Sequence, residues 1–279
     1  MVEEFGPLLV EMDGPVCVVR LNRPDALNSF DIELHHRFGR FCADLEGDEE
    51  VRAVVLTGNG RAFSAGGNLD DFELFRVDFD KRRATMRMAR RLVDEMLNVH
   101  VPVVAAVNGP AVGLGATLMT LCDIVFISQD TFVADPHVAS ALVAGDGSAV
   151  TWPAHTGLLK AKQYLLTGDR IPAAVAVEMG LANFAVPADE VVPQATAFAH
   201  RLAKLPPQAV QDTKILLNQI LRSNAVQVLG MGLAAESQSH DTAEFAAVPQ
   251  QVRARAQEKA TTTATTAAQP AARITTEGR

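Results

Sequence analysis

Residues 101–126 read VPVVAAVNGPAVGLGATLMTLCDIVF, an apolar stretch interrupted by glycines. It begins with a valine-rich run, which predicts a strand. A glycine-rich turn and a short apolar helix ending at Cys122-Asp123 follow, and then the strand IVFIS. The strand segments are continuously apolar rather than alternating, as expected when both faces of a sheet are covered. The stretch therefore predicts a strand–loop–helix–strand unit of an α/β protein.

The same order of strand, loop and helix recurs about every 45 to 50 residues on the N-terminal side. The chain opens with a predicted hairpin, in which the turn Asp13-Gly14-Pro15 joins PLLVEM to VCVVRLN. A helix is predicted from about Asp31 to Leu45, because apolar residues recur there at helical spacing. The strand VRAVVLTG and a charged helix from about Asp80 to Asn98 complete the repeat.

The C-terminal part has a different character. From about Leu159 the predicted elements are helices, which continue to about Lys259. Gly168 and Gly180 stand where glycines commonly end helices. The last twenty residues are rich in Thr and Ala, lack apolar periodicity and are predicted to be a disordered tail. We therefore predict a core with the active site over residues 1–195, a helical region over 196–259 and a tail over 260–279.

Composition narrows the function classes. The formal net charge of −8 argues against the basic surface that nucleic-acid binding needs. Cys17, Cys42 and Cys122 are widely separated and odd in number, and are predicted to be reduced thiols. The acidic start MVEEFGPLLVEMDGP lacks the layout of a signal peptide, and no apolar run is long enough to span a membrane. We expect a cytoplasmic enzyme without a nucleic-acid or membrane partner.

Two glycine-rich loops, GRAFSAGGN at 60–68 and NGPAVGLG at 108–115, can bring backbone N–H groups close to a ligand because no side chain blocks the approach. One N–H from each loop, aimed at one carbonyl oxygen, would stabilise an oxyanion by about 2.7–4 kcal/mol per donor. Taken singly, each loop is also typical of a tight turn in an α/β core. The second loop is not a dinucleotide fingerprint, because Leu118 occupies the place of the third glycine.

Four segments, taken together, form a pattern that is specific for one protein family. LNRPDALNSF (21–30), GRAFSAGGNL (60–69), residues 101–126 and YLLTGDRIPAAVAVEMGLANFAV (164–186) resemble, in order and spacing, the crotonase (enoyl-CoA hydratase/isomerase) superfamily. The resemblance covers roughly residues 5–258. It implies a spiral of repeated ββα units, with a C-terminal helical region that forms homotrimers or dimers of trimers. It also implies an acyl-CoA substrate, in which CoA is part of the thioester, and no separately bound cofactor.

The resemblance also assigns individual residues. The backbone N–H groups of Gly67 and Leu114 fall on the family's oxyanion-hole donors, and Arg23 stands where a partner for the CoA phosphates is expected. Asn68 stands where many relatives carry aspartate. The further substrate-binding positions are Ala26 and Leu27 in the stretch along the CoA nucleotide, Ala65 beside the thioester path, and Gly66, Asn68, Gly113 and Thr117.

The catalytic positions depart from the family's usual pattern. The two glutamates of its hydratases fall on Thr117 and His137 of this chain. An unperturbed Thr hydroxyl is not a useful acid or base, whereas histidine titrates near neutral pH. His137 stands nine residues before Asp146, which lies in AGDGS. We predict His137 as the main acid/base, and Asp146 as a group that orients the imidazole, raises its basicity or acts on the substrate directly. Thr117 is left open between an acyl-pocket residue and a helix residue that contacts its own backbone.

Three functional hypotheses stay open. The first is hydration or isomerisation of an enoyl-CoA. The second is carbon–carbon bond hydrolysis of a β-dicarbonyl compound, because the His/Asp pattern is similar to that of 6-oxocamphor hydrolase, which cleaves a cyclic β-diketone without CoA. The third is a catalytically silent assembly or binding subunit. Asp135 fits a turn or cap residue, the other histidines fit surface or packing positions, and no metal is predicted because further ligands at suitable spacing are lacking.

Overall fold

The computed structural model describes residues 2–68 and 71–248. Its strands are β1 (Val2–Phe5), β2 (Leu8–Asp13), β3 (Val16–Leu21), β4 (Ala53–Gly58), β5 (Val103–Val107), β6 (Ala111–Val112), β7 (Ile124–Ser128), β8 (Phe132–Ala134), β9 (Ile171–Pro172) and β10 (Phe184–Val186). Its helices are α1 (Ile32–Leu45), α2 (Asp71–Val77), α3 (Phe79–Asn98), α4 (Leu114–Leu121), α5 (Ser148–Thr156), α6 (Leu158–Leu165), α7 (Ala173–Glu178), α8 (Val191–Ala203) and α9 (Pro207–Ser239).

Seven strands form the main sheet in the order β1-β2-β3-β4-β5-β7-β10. The first three pair antiparallel, whereas the pairs from β3 to β10 are parallel. At the centre, Val55 of β4 lies opposite Val18 of β3 and Val104 of β5. A second, three-stranded sheet has the order β6-β8-β9. The predicted α/β class is confirmed, with a mixed main sheet.

The central strands are buried on both faces. Every residue of β4 and of β5 is buried, as the continuous apolar runs predict. On one face, Leu56 belongs to the large core that also contains Phe38 of α1 and Leu118 of α4. On the other face, Val55 packs in a smaller cluster with Ala195 of α8. The parallel strands therefore hold their following loops on a rigid support.

Neighbouring parallel strands place the two glycine loops together. Because β4 and β5 are adjacent and parallel, the loops that follow them leave the same edge of the sheet. The first of these loops contains Gly66 and Gly67, and the second contains Gly113 and Leu114. The predicted juxtaposition of the two loops thus has its origin in the strand order.

After β10, the described part of the C-terminal region consists of helices, as predicted. The helix α9 runs over 33 residues and packs against α3 and α5, and a further helical segment covers residues 243–248. Lys214 of α9 is buried and donates to the carbonyl of Val101, with Asp123 also 2.8 Å away. Within the described part of the chain, no helix combines the length and the apolar character that a membrane crossing requires.

Most predicted elements agree with the structure. The N-terminal hairpin, the helix of α1 and the strand IVFIS are present, and Gly168 and Gly180 adopt positive φ after helices. The short strands β1, β6, β8, β9 and β10 were not predicted, and β9 and β10 lie in the part after Leu159 that was expected to contain only helices. The predicted tail at 260–279 and the end of the region 196–259 lie outside the described residues. The division into 1–195, 196–259 and 260–279 stays a prediction.

Candidate active site

The two glycine loops touch each other. Ser64 of the first loop pairs with Ala111 of the second, and the N–H of Val112 donates to the carbonyl of Ser64 at 2.9 Å. Gly66 has φ +85°, and a Cβ there would lie 2.5 Å from the carbonyl oxygen of Val112 and 3.2 Å from the nitrogen of Leu114. Only glycine therefore permits this close approach of the loops.

The local hydrogen bonds leave two backbone amides available. Phe30 donates to the carbonyl of Gly66 and accepts from the N–H of Asn68, so the N–H of the intervening Gly67 points away from that pairing. Leu114 is the first residue of α4, and its N–H has no carbonyl partner within the helix. Gly67 and Leu114 line one cavity, and the positive end of α4 is directed at it.

His137 lies in the same cavity, directly after β8. Its Nδ1 is hydrogen-bonded to Oδ1 of Asp135, and its Nε2 lies 3.4 Å from Oδ2 of Asp146. The ring carbon Cε1 lies 3.6 Å from where a Cβ on Gly113 would stand. The imidazole is therefore held between two carboxylates beside the second glycine loop. His137, Asp146, Gly67 and Leu114, the predicted catalytic set, all line this cavity.

Asp135 differs from its predicted place as a turn or cap residue. Its side chain is buried, and Oδ1 accepts from the imidazole Nδ1 and, at 3.3 Å, from the backbone N–H of His137. A carboxylate on one ring nitrogen fixes the tautomer and leaves the other nitrogen free to face the cavity. The orienting group for the imidazole is therefore Asp135, and Asp146 faces the opposite ring nitrogen.

Glycines on both sides fix the turn that carries Asp146. A Cβ on Gly145 would lie 2.3 Å from the carbonyl oxygen of Gly232 in α9, and one on Gly147 would lie 2.5 Å from Cγ2 of Thr117 in α4. Gly147 also has φ +136°. The sequence AGDGS thus packs between two helices, and both glycines are needed for that contact.

Glu236 of α9 lines the cavity but was not assigned from the sequence. Its Oε1 lies 4.0 Å from Nε2 of His137. Its Oε2 is buried and has no hydrogen-bond partner among the described residues. The spacing of four between Gly232, Glu236 and His240 places all three on one helix face. That spacing is the only sequence signal, and it becomes informative once α9 is known to pass the site.

The family model for enoyl-CoA hydratase/isomerase matches residues 11–262. The chain belongs to the enoyl-CoA hydratase/isomerase family. It is similar to a short-chain-enoyl-CoA hydratase of Clostridium acetobutylicum, with 30% identity over 239 residues, covering 85% of this chain and 88% of that protein.

Solved structures of enoyl-CoA hydratases/isomerases share the fold. One from Mycobacterium paratuberculosis has 46% sequence identity and a TM-score of 0.84, covering 88% of this chain and 98% of that one. Another, from Xanthobacter autotrophicus Py2, has 27% identity and a TM-score of 0.83, covering 96% of this chain and all of that one (100%). The predicted crotonase-type fold is thereby confirmed.

The binding residues predicted from the hydratase/isomerase resemblance fall into two groups. Ala65, Asn68 and Gly113 line the cavity with the catalytic set. Arg23, Ala26, Leu27, Gly66 and Thr117 are not part of its lining. The guanidinium of Arg23 forms an ion pair with Asp31, and Thr117 is fully buried and donates to Asp146. Thr117 therefore fits neither of the two alternatives that the sequence left open.

Burial and the charges of neighbouring side chains shift the pKa values of His137, Asp146 and Glu236. Burial opposes a charge on His137, but Asp135 and Asp146 outweigh burial and raise the pKa of the imidazole well above its usual value. Burial raises the pKa of Asp146, and the nearby His137 offsets this only in part. Burial also raises the pKa of Glu236 to about 8. The site thus pairs a charged imidazole with carboxyl groups that hold protons more strongly than usual.

Two histidines that were predicted as surface or packing residues also line the cavity. His35 is buried and packs edge-on against Phe30, and burial lowers its pKa to about 4. His240 is buried next to Phe245, and burial likewise lowers its pKa. Both are packing residues as predicted, and both add a neutral polar ring to the cavity wall.

The ligand atoms of Asp135, His137 and Asp146 all lie within 4.8 Å of one another, a spacing that a metal ion can use. One ion can take only one ring nitrogen, however, whereas Asp135 and Asp146 lie at different nitrogens of the same imidazole. This arrangement fits a hydrogen-bonded carboxylate–imidazole–carboxylate group better than a metal centre. That the protein uses no metal stays a prediction.

Proposed function

We propose that the chain is an acyl-CoA enzyme of the hydratase/isomerase type, in which the N–H groups of Gly67 and Leu114 bind the thioester oxygen. His137 and Asp146 move the protons. The observation that carries this proposal is the common cavity: both glycine loops, the imidazole and the Asp146 carboxylate line it. Backbone donors of this kind stabilise the enolate that forms when a nucleophile adds to, or a proton leaves, an α,β- or β,γ-unsaturated thioester.

The two titrating groups have complementary roles. In hydration, Asp146 accepts a proton from water, the water oxygen bonds to the β-carbon, and the electron pair of the double bond moves onto the thioester oxygen. The resulting enolate collapses as the charged imidazole of His137 donates a proton to the α-carbon. In isomerisation, the same pair removes a proton from one carbon and returns one to another. A base with a raised pKa and an acid held protonated suit these roles near neutral pH.

This assignment makes the chain a family member without the two usual catalytic glutamates. By resemblance those positions hold Thr117 and His137. Proton transfer would instead rest on His137 and Asp146, with Glu236 close by. Nε2 of the imidazole lies 3.4 Å from Oδ2 of Asp146 and 4.0 Å from Oε1 of Glu236. The carboxyl groups come from the turn before α5 and from α9, not from α4.

A β-dicarbonyl hydrolase is the second candidate, and one observation favours it. Arg23, the expected phosphate partner, is ion-paired with Asp31 and does not line the cavity. In this reaction Asp146 and His137 activate water, the water oxygen bonds to one carbonyl carbon, and the adjacent carbon–carbon bond breaks. The other carbonyl leaves as an enolate, which the amides of Gly67 and Leu114 stabilise before it is protonated.

A substrate screen separates these candidates. Enoyl-CoA thioesters of several chain lengths and cyclic β-diketones are offered to the wild type and to His137→Ala, with exposed His36→Ala as the control. The proposal expects turnover of a CoA thioester that falls about 10²–10⁴-fold in His137→Ala and is unchanged in His36→Ala. Cleavage of diketones alone supports the hydrolase. Absence of CoA-thioester binding by calorimetry defeats the first proposal, and turnover that is unchanged in His137→Ala excludes the proposed role of His137. A wild type that turns over neither substrate class indicates a catalytically silent protein.

Arg23→Gln tests the nucleotide contact. If the guanidinium exchanges Asp31 for a CoA phosphate, the substitution raises KM for enoyl-CoA several-fold while kcat stays the same. The matching pantetheine thioester lacks the nucleotide phosphates, so its KM is expected to be the same for wild type and variant. Equal effects on both substrates would show that Arg23 acts only through the fold.

We also propose that the chain forms homotrimers or dimers of trimers. The helix α9 exposes several large apolar side chains, and α6 exposes others. They are Leu216, Leu217, Ile220, Val226 and Met231 on α9, and Leu158 and Leu159 on α6. Large apolar side chains left exposed in this number commonly mark a subunit interface. Light scattering after size-exclusion chromatography gives the mass directly, and a monomer at micromolar concentration contradicts the proposal.

A further inference from the structure

The two carboxylate oxygens of Asp146 have different partners. Oδ1 accepts a hydrogen bond from the hydroxyl of Thr117 at 3.0 Å, whereas Oδ2 lies 3.4 Å from Nε2 of His137. The terminal torsion of an aspartate has broad minima, so the carboxylate turns unless something holds it. Fixing Oδ1 therefore decides where Oδ2 points.

A second buried hydroxyl lies next to that of Thr117. Thr117 and Ser148 are fully buried, and their hydroxyl oxygens lie 3.1 Å apart. A hydroxyl group has a single proton to donate, and Thr117 donates its proton to Asp146. The Ser148 hydroxyl has two acceptors within reach, the Thr117 oxygen and the buried carboxylate of Asp135. The bond to Asp146 is therefore the one that uses the Thr117 proton.

Packing holds the Thr117 side chain in place. A Cβ on Gly147 would lie 2.5 Å from Cγ2 of Thr117, so the methyl group occupies space that only a glycine leaves. A β-branched side chain on a helix has few χ1 choices. With its methyl group against Gly147, Thr117 presents its hydroxyl to Asp146.

We propose that Thr117 is a positioning residue, which holds the Asp146 carboxylate so that one oxygen faces His137. This inference rests on the proposed function for the identity of the reaction, but the contact itself does not. Thr117 lies outside the cavity lining and so acts through Asp146 and not on the substrate. The α4 position that carries a glutamate in the family's hydratases would thus support the aspartate in this chain.

The titration of Asp146 reports on this contact. Three titratable groups face it: His137 and Asp135 next to β8, and Glu236 from α9. Thr117, from α4, adds no charge, but its hydrogen bond favours the ionised carboxylate and lowers the pKa of Asp146. Losing the hydroxyl leaves the charges in place and raises that pKa. A group needed as a carboxylate then works only at higher pH.

The experiment compares three variants of the full chain. Thr117→Val removes the hydroxyl at nearly constant volume, and Thr117→Ser keeps it. Thr120→Val is the matched control, since Thr120 is buried on the same helix and its hydroxyl bonds to Thr151 at 2.8 Å, not to Asp146. The Asp146 carboxyl is titrated by ¹³C NMR, assigned with Asp146→Asn, and kcat/KM is measured against pH.

In Thr117→Val, the Asp146 pKa is expected to rise and the acidic limb of kcat/KM to move to higher pH. Its kcat falls about tenfold, the size expected for a lost hydrogen bond to a charged group, and KM changes little. Thr117→Ser keeps the wild-type titration, and Thr120→Val changes thermal stability only. Thr117→Ala also lacks the hydroxyl and must shift the Asp146 pKa in the same direction. This variant replaces Thr117→Val in the titration if Thr117→Val does not fold.

An Asp146 titration unchanged in Thr117→Val, or shifted equally in Thr117→Ser, overturns the inference. The NMR titration needs no substrate, so it decides the role of Thr117 even if no CoA thioester is turned over. Failure of the proposed function appears instead as absent turnover in the wild type. The two failures are therefore distinguishable.

Discussion

Nδ1 of His137 is hydrogen-bonded to the carboxylate of Asp135, two residues earlier in the chain. The bond is partly buried, with the Asp135 side chain itself buried. Asp135 raises the pKa of the imidazole, and His137 lowers the pKa of that carboxyl against the opposing effect of burial. Because Nδ1 is occupied, only Nε2 is available to the cavity. The imidazolium of His137, which we propose as the proton donor to the α-carbon, is therefore kept charged and oriented by Asp135.

Asp135→Asn is expected to lower the pKa of His137, because the amide keeps the shape of the side chain but not its charge. Deprotonation of the ring at neutral pH removes the acid, so kcat/KM at pH 7.5 falls about 10²-fold or more. NMR titration of the imidazole measures the pKa directly. Asp130→Asn, an exposed change after β7, serves as the control and leaves both quantities unchanged. An unaltered imidazole pKa in Asp135→Asn would contradict the assignment.

Leu114→Pro tests the predicted oxyanion donor. Leu114 is the first residue of α4, a position where proline is tolerated because its missing N–H serves no helical hydrogen bond. The substitution removes one donor and is expected to reduce kcat about 10²–10³-fold. Leu114→Ala retains the N–H, loses a similar side-chain volume and is the matched control. If both variants lose kcat equally at similar thermal stability, the amide is not a donor in the reaction.

The sheet and the loops could be predicted from local sequence. Apolar runs such as VPVVAAV fix strands that are buried on both faces, and glycines that follow them fix the turns. The parallel neighbours β4 and β5 then bring Gly67 and Leu114 together. His137 was found only through the family resemblance, because a single histidine after a strand has no local signal of its own.

Asp135 and Glu236 could not be assigned from the sequence, for different reasons. Asp135 precedes a proline, a context in which turn chemistry accounts for an aspartate, and its hydrogen bond to His137 depends on how the chain folds after β8. Glu236 lies on a helix far along the chain from His137, and only the packing of α9 against Gly145 brings it into the cavity. Neither contact follows from periodicity.

Gly145→Ala tests the contact between the Asp146 turn and α9. The new methyl group would stand 2.3 Å from the carbonyl oxygen of Gly232, so either the turn or the helix must move. Overpacking of this kind costs about 1–3 kcal/mol, and kcat is expected to fall because Asp146 and Glu236 shift. Gly47→Ala is the control, since no atom lies within 4 Å of its added Cβ. Urea denaturation gives both free energies, and equal values would show that the contact is loose.

Glu236→Gln is expected to make stability less dependent on pH. Burial raises the pKa of Glu236 from 4.5 to about 8 in the folded protein. Between these two values the folded state keeps a proton that the unfolded state releases, so wild-type stability falls as the pH rises through this window. Glutamine mimics the protonated acid at every pH and avoids that loss.

The difference between Glu236→Gln and wild type should therefore be small at pH 5, grow to pH 8 and stay constant above it. Since one pKa unit corresponds to about 1.4 kcal/mol, the gain at pH 9 is expected to be on the order of a few kcal/mol. Urea unfolding at pH 5, 7 and 9 measures it, with exposed Glu178→Gln as the control. Parallel stability curves for Glu236→Gln and wild type would mean that Glu236 is ionised in the folded cavity. In that case it would face His137 as a third negative charge instead of a neutral acid.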